Sequence, residues 1–362
     1  MYTEEHDNLK QEITIKVPKM ILDVNAKEGK LDKKEKKPEI SVIIITYNRA
    51  EMLREASKSV VLQDTEGEFS YEIVVVDNAS TDRTKDVIEE MARHSNVLIR
   101  YVLEEGHGIP NARNTGVRES HGEWIAFTDD DQLAEMGWLK ELFAVAFKTG
   151  AHCVGGNRLL LLPAKSEVPL GRVTRSILGE EIFCEESPVN SRKTLPGTEN
   201  VLIKRSIFDS IGSFDKSMIR GGSDHDLIRR AWAAGFQVWS APKAAVFHLI
   251  PPYRLKQRYL RWASLRIGSS FAYIDKKQYG YGGMLIRCFA RISQALLVNL
   301  PFLCMAYFVR SHAKTLDRKC LMWRALGYTQ ECLYILAPSR FSQDDFLSSL
   351  EYRKERQFFN NS

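Results

Sequence analysis

The chain has 362 residues, 44% of them hydrophobic, enough for a large core and two structural units. Its net charge of +5 is segregated: residues 40–249 carry 24 Lys and Arg against 30 Asp and Glu, whereas residues 250–340 carry 15 cations against Asp275, Asp317 and Glu331. An acidic body with a basic, apolar final third argues against a nucleic-acid enzyme, whose cationic surface would flank its carboxylates.

Residues 1–39 mix Lys, Glu and Asp without an apolar period and read as a mobile charged tail. No apolar signal-peptide core stands at the N-terminus, so export is not expected. Six scattered cysteines without a CxxC pair point to reduced, mostly buried thiols in a cytosolic compartment. From Ile40 strand and helix patterns alternate. Ser41–Ile45 is a continuous β-branched run, as in a strand buried on both faces. A helix is expected over 50–62, a second buried strand over 71–76, a third over 97–102, a helix over 109–118 and a fourth strand over 124–127. This order implies a parallel sheet covered by helices on both faces. Residues 155–196 read as a loop or insertion of low definition. A strand at 201–203, a helix over 224–234 and a strand pair at 238–239 and 245–247 complete the region.

The fourth strand runs directly into Asp129-Asp130-Asp131. Three adjacent carboxylates repel one another and need a counter-charge. A hard divalent cation, Mg²⁺ or Mn²⁺, prefers such oxygen ligands and usually reaches out to a substrate phosphate. A solvated Asp-rich turn or a helix cap is the alternative. In parallel sheets the ligand crevice lies outside the carboxyl ends of the strands. Thr46-Tyr47-Asn48-Arg49, Asp77-Asn78 and Asp129-Asp130-Asp131 each follow a strand, so all three are expected in one crevice. In strand geometry Asp129 and Asp131 would share a face and Asp130 would point elsewhere.

Further motifs continue in order: Asn111-Ala112-Arg113-Asn114-Thr115-Gly116, Gly197-Thr198-Glu199-Asn200 and Gly222-Ser223-Asp224-His225-Asp226-Leu227. With these, residues 40–249 resemble the inverting family 2 glycosyltransferases of bacterial surface-polysaccharide type. The resemblance implies an α/β GT-A fold, a Rossmann-like, mostly parallel central sheet flanked by helices, with a C-terminal helical membrane-associating region. It implies transfer of a hexose-type sugar from a UDP- or GDP-sugar to a glycan or polyprenyl-linked acceptor, with inversion and with Mn²⁺ or Mg²⁺. Thr46, Asn48, Arg49, Asp77, Arg113, Asp129 and Asp130 would bind the nucleotide sugar. Asp131 and His248 would hold the metal, and Asp224 would be the general base. The family typically has Glu-Asp where this chain has Ser223-Asp224. Glu199, Asn200 and Asp226 are the candidates for acceptor binding. A catalytically silent nucleotide-sugar-binding or scaffold protein of the same fold is the alternative. A nucleotidyltransferase would show a Gly-rich phosphate loop after the first strand, and Thr46-Tyr47-Asn48-Arg49 has no glycine.

In residues 250–340, Leu255, Tyr259 and Trp262 recur at helical spacing beside Arg254, Arg258 and Arg261. Such a helix suits an anionic membrane interface, or packs on the catalytic domain as an ordinary amphipathic helix. Residues 292–309 are uncharged, at the lower length limit for a bilayer span. Ser293, Gln294, Asn299 and Pro301 favour a partly immersed helix or hairpin. The expected location is therefore the cytoplasmic face of a membrane. Gln257 is one residue out of register for the QxxRW motif of processive relatives, which implies one sugar per encounter. Residues 341–362 form a C-terminal tail.

Overall fold

The computed structural model describes residues 37–340 apart from 107, 165–167, 192–193 and 219–220; residues 1–36 of the expected N-terminal tail and the whole C-terminal tail lie outside the described residues. The first half alternates as the apolar runs require: β1 (Ile40–Thr46), α1 (Ala50–Val61), β2 (Tyr71–Asp77), α2 (Thr84–His94), β3 (Leu98–Leu103), α3 (Ile109–Glu119) and β4 (Trp124–Asp129). These strands pair in parallel in the order β3-β2-β1-β4. Their residues alternate between two cores. Ile40, Val42 and Ile44 pack with α1 and α2, while Ile43, Val74 and Phe127 pack with α3. Gly116 lets α3 approach the sheet, because a Cβ there would stand 2.6 Å from Ile43 Cγ2.

The chain continues through β5 (Gln132–Ala134), α4 (Trp138–Thr149), β6 (Cys153–Leu161), α5 (Arg172–Ile177), β7 (Ser187–Pro188), β8 (Asn200–Lys204), α6 (Arg205–Ile211), α7 (Ser223–Ala233) and β9 (Val238–Leu249). β8 runs antiparallel to β4 and β6, and β9 is parallel to β6, so the sheet is mixed, ordered β3-β2-β1-β4-β8-β6-β9-β5 with β7 against β9. Residues 155–196 are thus more regular than their sequence suggests. The expected strand pair is one strand, whose register shifts where Gly156 faces Ala241 and Asn157 faces Ala245. Pro242 lies in that bulge, where it breaks no ladder bond.

A 3₁₀ turn (Pro252–Leu255) then leads into α8 (Gln257–Gln294), a π turn (Ala295–Asn299), α9 (Leu300–Phe308) and α10 (His312–Leu336). Gly280, at φ 67°, kinks α8. α10 returns along α8, tied by Tyr328 O–H to Asp275 Oδ2 at 2.9 Å and Ser269 O–H to Glu331 Oε2 at 2.7 Å. Leu255, Tyr259 and Trp262 are buried with Ile177, Ile250 and Cys320. Of the two readings of residues 254–262 this favours the helix packed on the catalytic domain over the membrane-facing one: their aromatic edge is core. The exposed apolar side chains come later, with Ile286 at 72%, Phe289 at 74%, Leu297 at 77% and Phe308 at 90% exposure. All six cysteines are free, Cys184 and Cys304 exposed and the others buried.

Candidate active site

Strand register brings the predicted clusters together. Thr46 is paired with Asp77 and Ile45 with Asp129, so β1, β2 and β4 end at one edge. Asn48 takes a left-handed φ of 51°, tolerated by asparagine. There its N–H donates to Ser80 Oγ at 2.8 Å and its Oδ1 accepts Thr81 N–H at 2.6 Å, hooking two strand-end loops together. Asp77 accepts Ser80 N–H at 2.9 Å and Tyr101 O–H at 2.8 Å, so part of its capacity already shapes the turn.

The three aspartates are divided in a way strand alternation does not anticipate. β4 ends at Asp129 and the next two residues turn, so Asp130 and Asp131 meet the same partner. Arg49 Nη1 lies 2.7 Å from Asp130 Oδ1 and 2.8 Å from Asp131 Oδ2. Thr46 O–H donates to Asp130 Oδ2 at 2.8 Å. Asp131 Oδ2 is also 3.4 Å from His248 Nε2 and 3.4 Å from Arg254 Nη1. Burial pushes Asp131 up, but His248, Arg49 and Arg254 reverse this and hold its carboxyl well below the usual range. Asp129 lies instead among Glu199, Asp131 and Arg113. Burial, then Glu199 and Asp131, push its carboxyl up to about 8, with Arg113 opposing.

Opposite this edge, α7 begins after Gly222, at φ 86°, and presents Asp224 in its first turn, where the helix dipole favours a carboxylate. Burial raises Asp224, but His225, with Nδ1 3.4 Å from Asp224 Oδ1, and Arg113 outweigh it, and the net shift is strongly downward. Asp224 in turn pushes His225 up to about 9. Arg113 Nη1 donates to Ser223 Oγ at 3.3 Å and its guanidinium stacks 5.4 Å from the Phe214 ring. Ser223 thus occupies the place beside Asp224 with a hydroxyl that takes Arg113. On the remaining side Arg158 Nη1 stands 2.8 Å from Glu199 Oε2 and Nη2 4.0 Å from Glu181 Oε2.

Residues 41–183 match the family described as Glycosyl transferase family 2. The chain carries a family 2 glycosyltransferase domain. It is 29% identical over 216 residues to "Glycosyltransferase AglE" of Haloferax volcanii, spanning 60% of this chain and 68% of that one. It is 35% identical over 125 residues to "GalNAc(5)-diNAcBac-PP-undecaprenol beta-1,3-glucosyltransferase" of Campylobacter jejuni, spanning 34% and 39%. Among solved structures, "Mannosyltransferase PcManGT from Pyrobaculum calidifontis in complex with GDP-Man and Mn2+" superposes with a TM-score of 0.54 at 17% identity, covering 82% of this chain and 88% of that one. The fold is GT-A.

Two expected acceptor contacts of this glycosyltransferase domain are structural instead. Asn200 is 0% exposed and spends its amide on Asn157 O, Ala244 O and Trp138 Nε1–H. Asp226 accepts from Arg229 at 2.9 Å and Arg230 at 2.8 Å on its own helix, and Arg230 continues to Ile211 O. Residues two apart on a helix face different ways, so Asp226 cannot share the outlook of Asp224. Glu199 stays in the crevice.

Sequence reasoning missed Arg254 and Arg158 as site residues. Arg254 Nη1 lies 3.1 Å from His248 Nε2, and its signal is position: it follows β9 within a short proline-bearing turn. Arg158 lies on β6, inside the segment read as loop. As for a cation, Asp131 and His248 converge, and among the described residues no third His, Cys, Asp or Glu joins them. Mg²⁺-type ions keep water and phosphate oxygens and need only one or two protein ligands, so the pair fits.

Proposed function

We propose that this chain transfers a sugar from a nucleoside-diphosphate sugar to a hydroxyl of a glycan or lipid-linked acceptor, with inversion. The observation that carries it is the series of neighbouring charges that runs from His248 and Asp131 through Asp129 and Glu199 to Asp224 at the start of α7. Asp131 and His248 would hold Mn²⁺ or Mg²⁺, which when bound supplies Lewis-acid stabilisation of the leaving diphosphate. Arg49, Arg113 and Arg254 are the cations available to phosphate oxygens, with Arg49 and Arg254 forked guanidiniums suited to that geometry. Thr46, Asn48 and Asp77 line the loops where a base and ribose would sit. Asp224, held ionised, takes the acceptor's hydroxyl proton. The acceptor oxygen bonds the anomeric carbon as the bond from that carbon to the diphosphate oxygen breaks. A positioned base contributes ~10²–10⁴-fold in rate.

The same reading places the protein at the cytoplasmic face of an anionic membrane. Among the described residues one continuous helical stretch, Gln257–Phe308, made of α8, the π turn and α9, is long and apolar enough to cross a bilayer, and Phe289, Leu297 and Phe308 on it are exposed. The basic final third would be drawn to anionic lipid by about 1 kcal/mol per cation near the surface. One of the related proteins named above carries a lipid-linked glycan in its name, which supports this acceptor class.

The test incubates the full chain with UDP- and GDP-sugars, with and without Mn²⁺, and measures nucleoside diphosphate release. Release of one nucleotide, lost on chelation and in Asp131→Asn, is expected. No release from any donor, with or without lipid extract, would sink the assignment.

A further inference from the structure

One cavity belongs to neither the crevice nor the core. It has a volume of about 310 Å³ and lies where Val168 and Leu255 meet α9 and α10, with Tyr307, His312, Leu316 and Lys319 among its walls. That size matches the small end of ligand sites, which are largely apolar with a few convergent polar groups. We propose that it seats the phosphate or diphosphate head of a lipid-linked acceptor, with the lipid chain lying along the exposed side of α9. The inference rests on the glycosyltransferase reading above and names the acceptor class for it.

Four observations converge. Lys319 has no carboxylate partner among the described residues; its ammonium reaches only Gln257 Oε1, at 3.4 Å, and stands 5.5 Å from the Tyr307 ring. His312, in the cavity wall, is the first residue of α10, a helix of 25 residues, and the positive end of that helix dipole favours an anion nearby. The cavity adjoins an apolar runway: Met305 is 50%, Phe308 90% and Val309 55% exposed. A head group with charge at one end and a long apolar tail matches both features, and a soluble sugar matches neither. Finally, the Leu255 wall follows Arg254 directly, and Arg254 touches Asp131 and His248. A seated head group would therefore lie beside the turn that carries Arg254.

The α5 segment is fixed there independently. Asp317, on α10, accepts Thr174 N–H at 2.8 Å and Thr174 O–H at 2.6 Å at the start of α5. The cavity walls are thus braced from the catalytic domain and from the hairpin.

The experiment titrates the full chain in neutral detergent micelles with farnesyl diphosphate, farnesol and inorganic diphosphate, by calorimetry. Farnesyl diphosphate is expected to bind more tightly than either part. Lys319→Glu should weaken it at least ~10-fold, the loss typical of a phosphate-facing cation turned anionic. Lys319→Arg should restore binding, and Leu316→Trp, which fills the cavity, should abolish it. Farnesol binding as tightly as farnesyl diphosphate, or all variants binding as the parent does, overturns the proposal. So does equal displacement by phosphatidylglycerol, which would make the cavity a site for bulk lipid. Nucleoside diphosphate release from donor to water is followed in parallel. Release without farnesyl diphosphate binding refutes the cavity assignment alone, and binding without release refutes the glycosyltransferase reading.

Discussion

Asn200 separates a scaffold residue from a ligand residue, and its substitution has a size that can be worked from the structure. The side chain is 0% exposed and makes three hydrogen bonds, to Trp138 Nε1–H at 2.7 Å, Asn157 O at 2.8 Å and Ala244 O at 2.9 Å. Asn200→Ala strands all three partners. A buried donor or acceptor left without a partner costs roughly 1–3 kcal/mol. The indole N–H has one proton and takes the full penalty, whereas each carbonyl keeps a second lone pair and sits at the low end. Together the loss is about 3–5 kcal/mol, a large part of the 5–15 kcal/mol typical of a folded domain. At roughly 2 °C per kcal/mol for a chain of this size, the melting temperature should fall by about 6–10 °C. Differential scanning fluorimetry measures it. The apparent KM for acceptor in the surviving folded protein should stay within twofold of the parent. A variant that melts normally but binds acceptor poorly would refute the reasoning.

Asp224→Asn should lower transfer by ~10²–10⁴-fold while donor affinity, by calorimetry, stays near the parent value; Asp131→Asn should weaken donor binding in Mn²⁺ as well. Transfer by Asp224→Asn at the parental rate would remove it as base. Glu72 gives the pH dependence. Burial raises its carboxyl, but Ser41, the His121 amide and Arg100 outweigh this and leave it lowered. A carboxyl lowered on folding contributes stability that is complete above its unfolded value, near ~4.3, and lost as pH falls through the folded value. Melting temperature should therefore drop on acidification below about pH 4, and more shallowly in Glu72→Gln; parallel curves would count against it. Phe289→Glu with Leu297→Glu should cut co-sedimentation with anionic vesicles, since each exposed apolar side chain is worth ~1.5–3 kcal/mol on burial. Unchanged sedimentation would place the membrane contact elsewhere.

The first four strands were legible because each is a continuous apolar run, and strand ends in a parallel sheet gather at one edge. That logic brought Thr46, Asp77 and Asp129 together before any side chain was placed. It failed where polar residues must face the crevice from within a strand. Gly155-Gly156-Asn157-Arg158 interrupts the apolar pattern of β6, and the segment reads as loop. β9 reads as two strands because its bulge breaks the alternation at Ala241-Pro242. Arg254 was grouped with a helical stripe, since period alone cannot reveal that the helix starts only at Gln257. The meeting of Asp130 and Asp131 on Arg49 was not foreseen for a related reason: the strand stops at Asp129, two residues sooner than the alternation needs.

The charges of the crevice bear on the cation proposed for this site. Asp129, Asp130, Asp131, Glu181, Glu199 and Asp224 form one connected set with Arg49, Arg113, Arg158 and Arg254. With every carboxyl ionised, six negative charges face four fixed positive ones. The deficit does not fall on Asp131, which has two guanidiniums and His248, but on Asp129, whose carboxyl is pushed up to about 8. His225, pushed up to about 9, adds one positive charge, and a proton kept on Asp129 removes one negative charge. On the proposed reading a divalent ion would supply the positive charge that lets Asp129 ionise, and a nucleoside diphosphate entering with that ion would leave the balance nearly unchanged. Bare diphosphate would deepen the deficit, although Arg49 and Arg254 could turn from Asp131 to its oxygens. On the proposed reading the arginines would meet the diphosphate and the aspartates the cation. Arg254 lies three residues before Gln257, the first residue of α8, so one of these cations is carried on the segment that leads into the apolar helices.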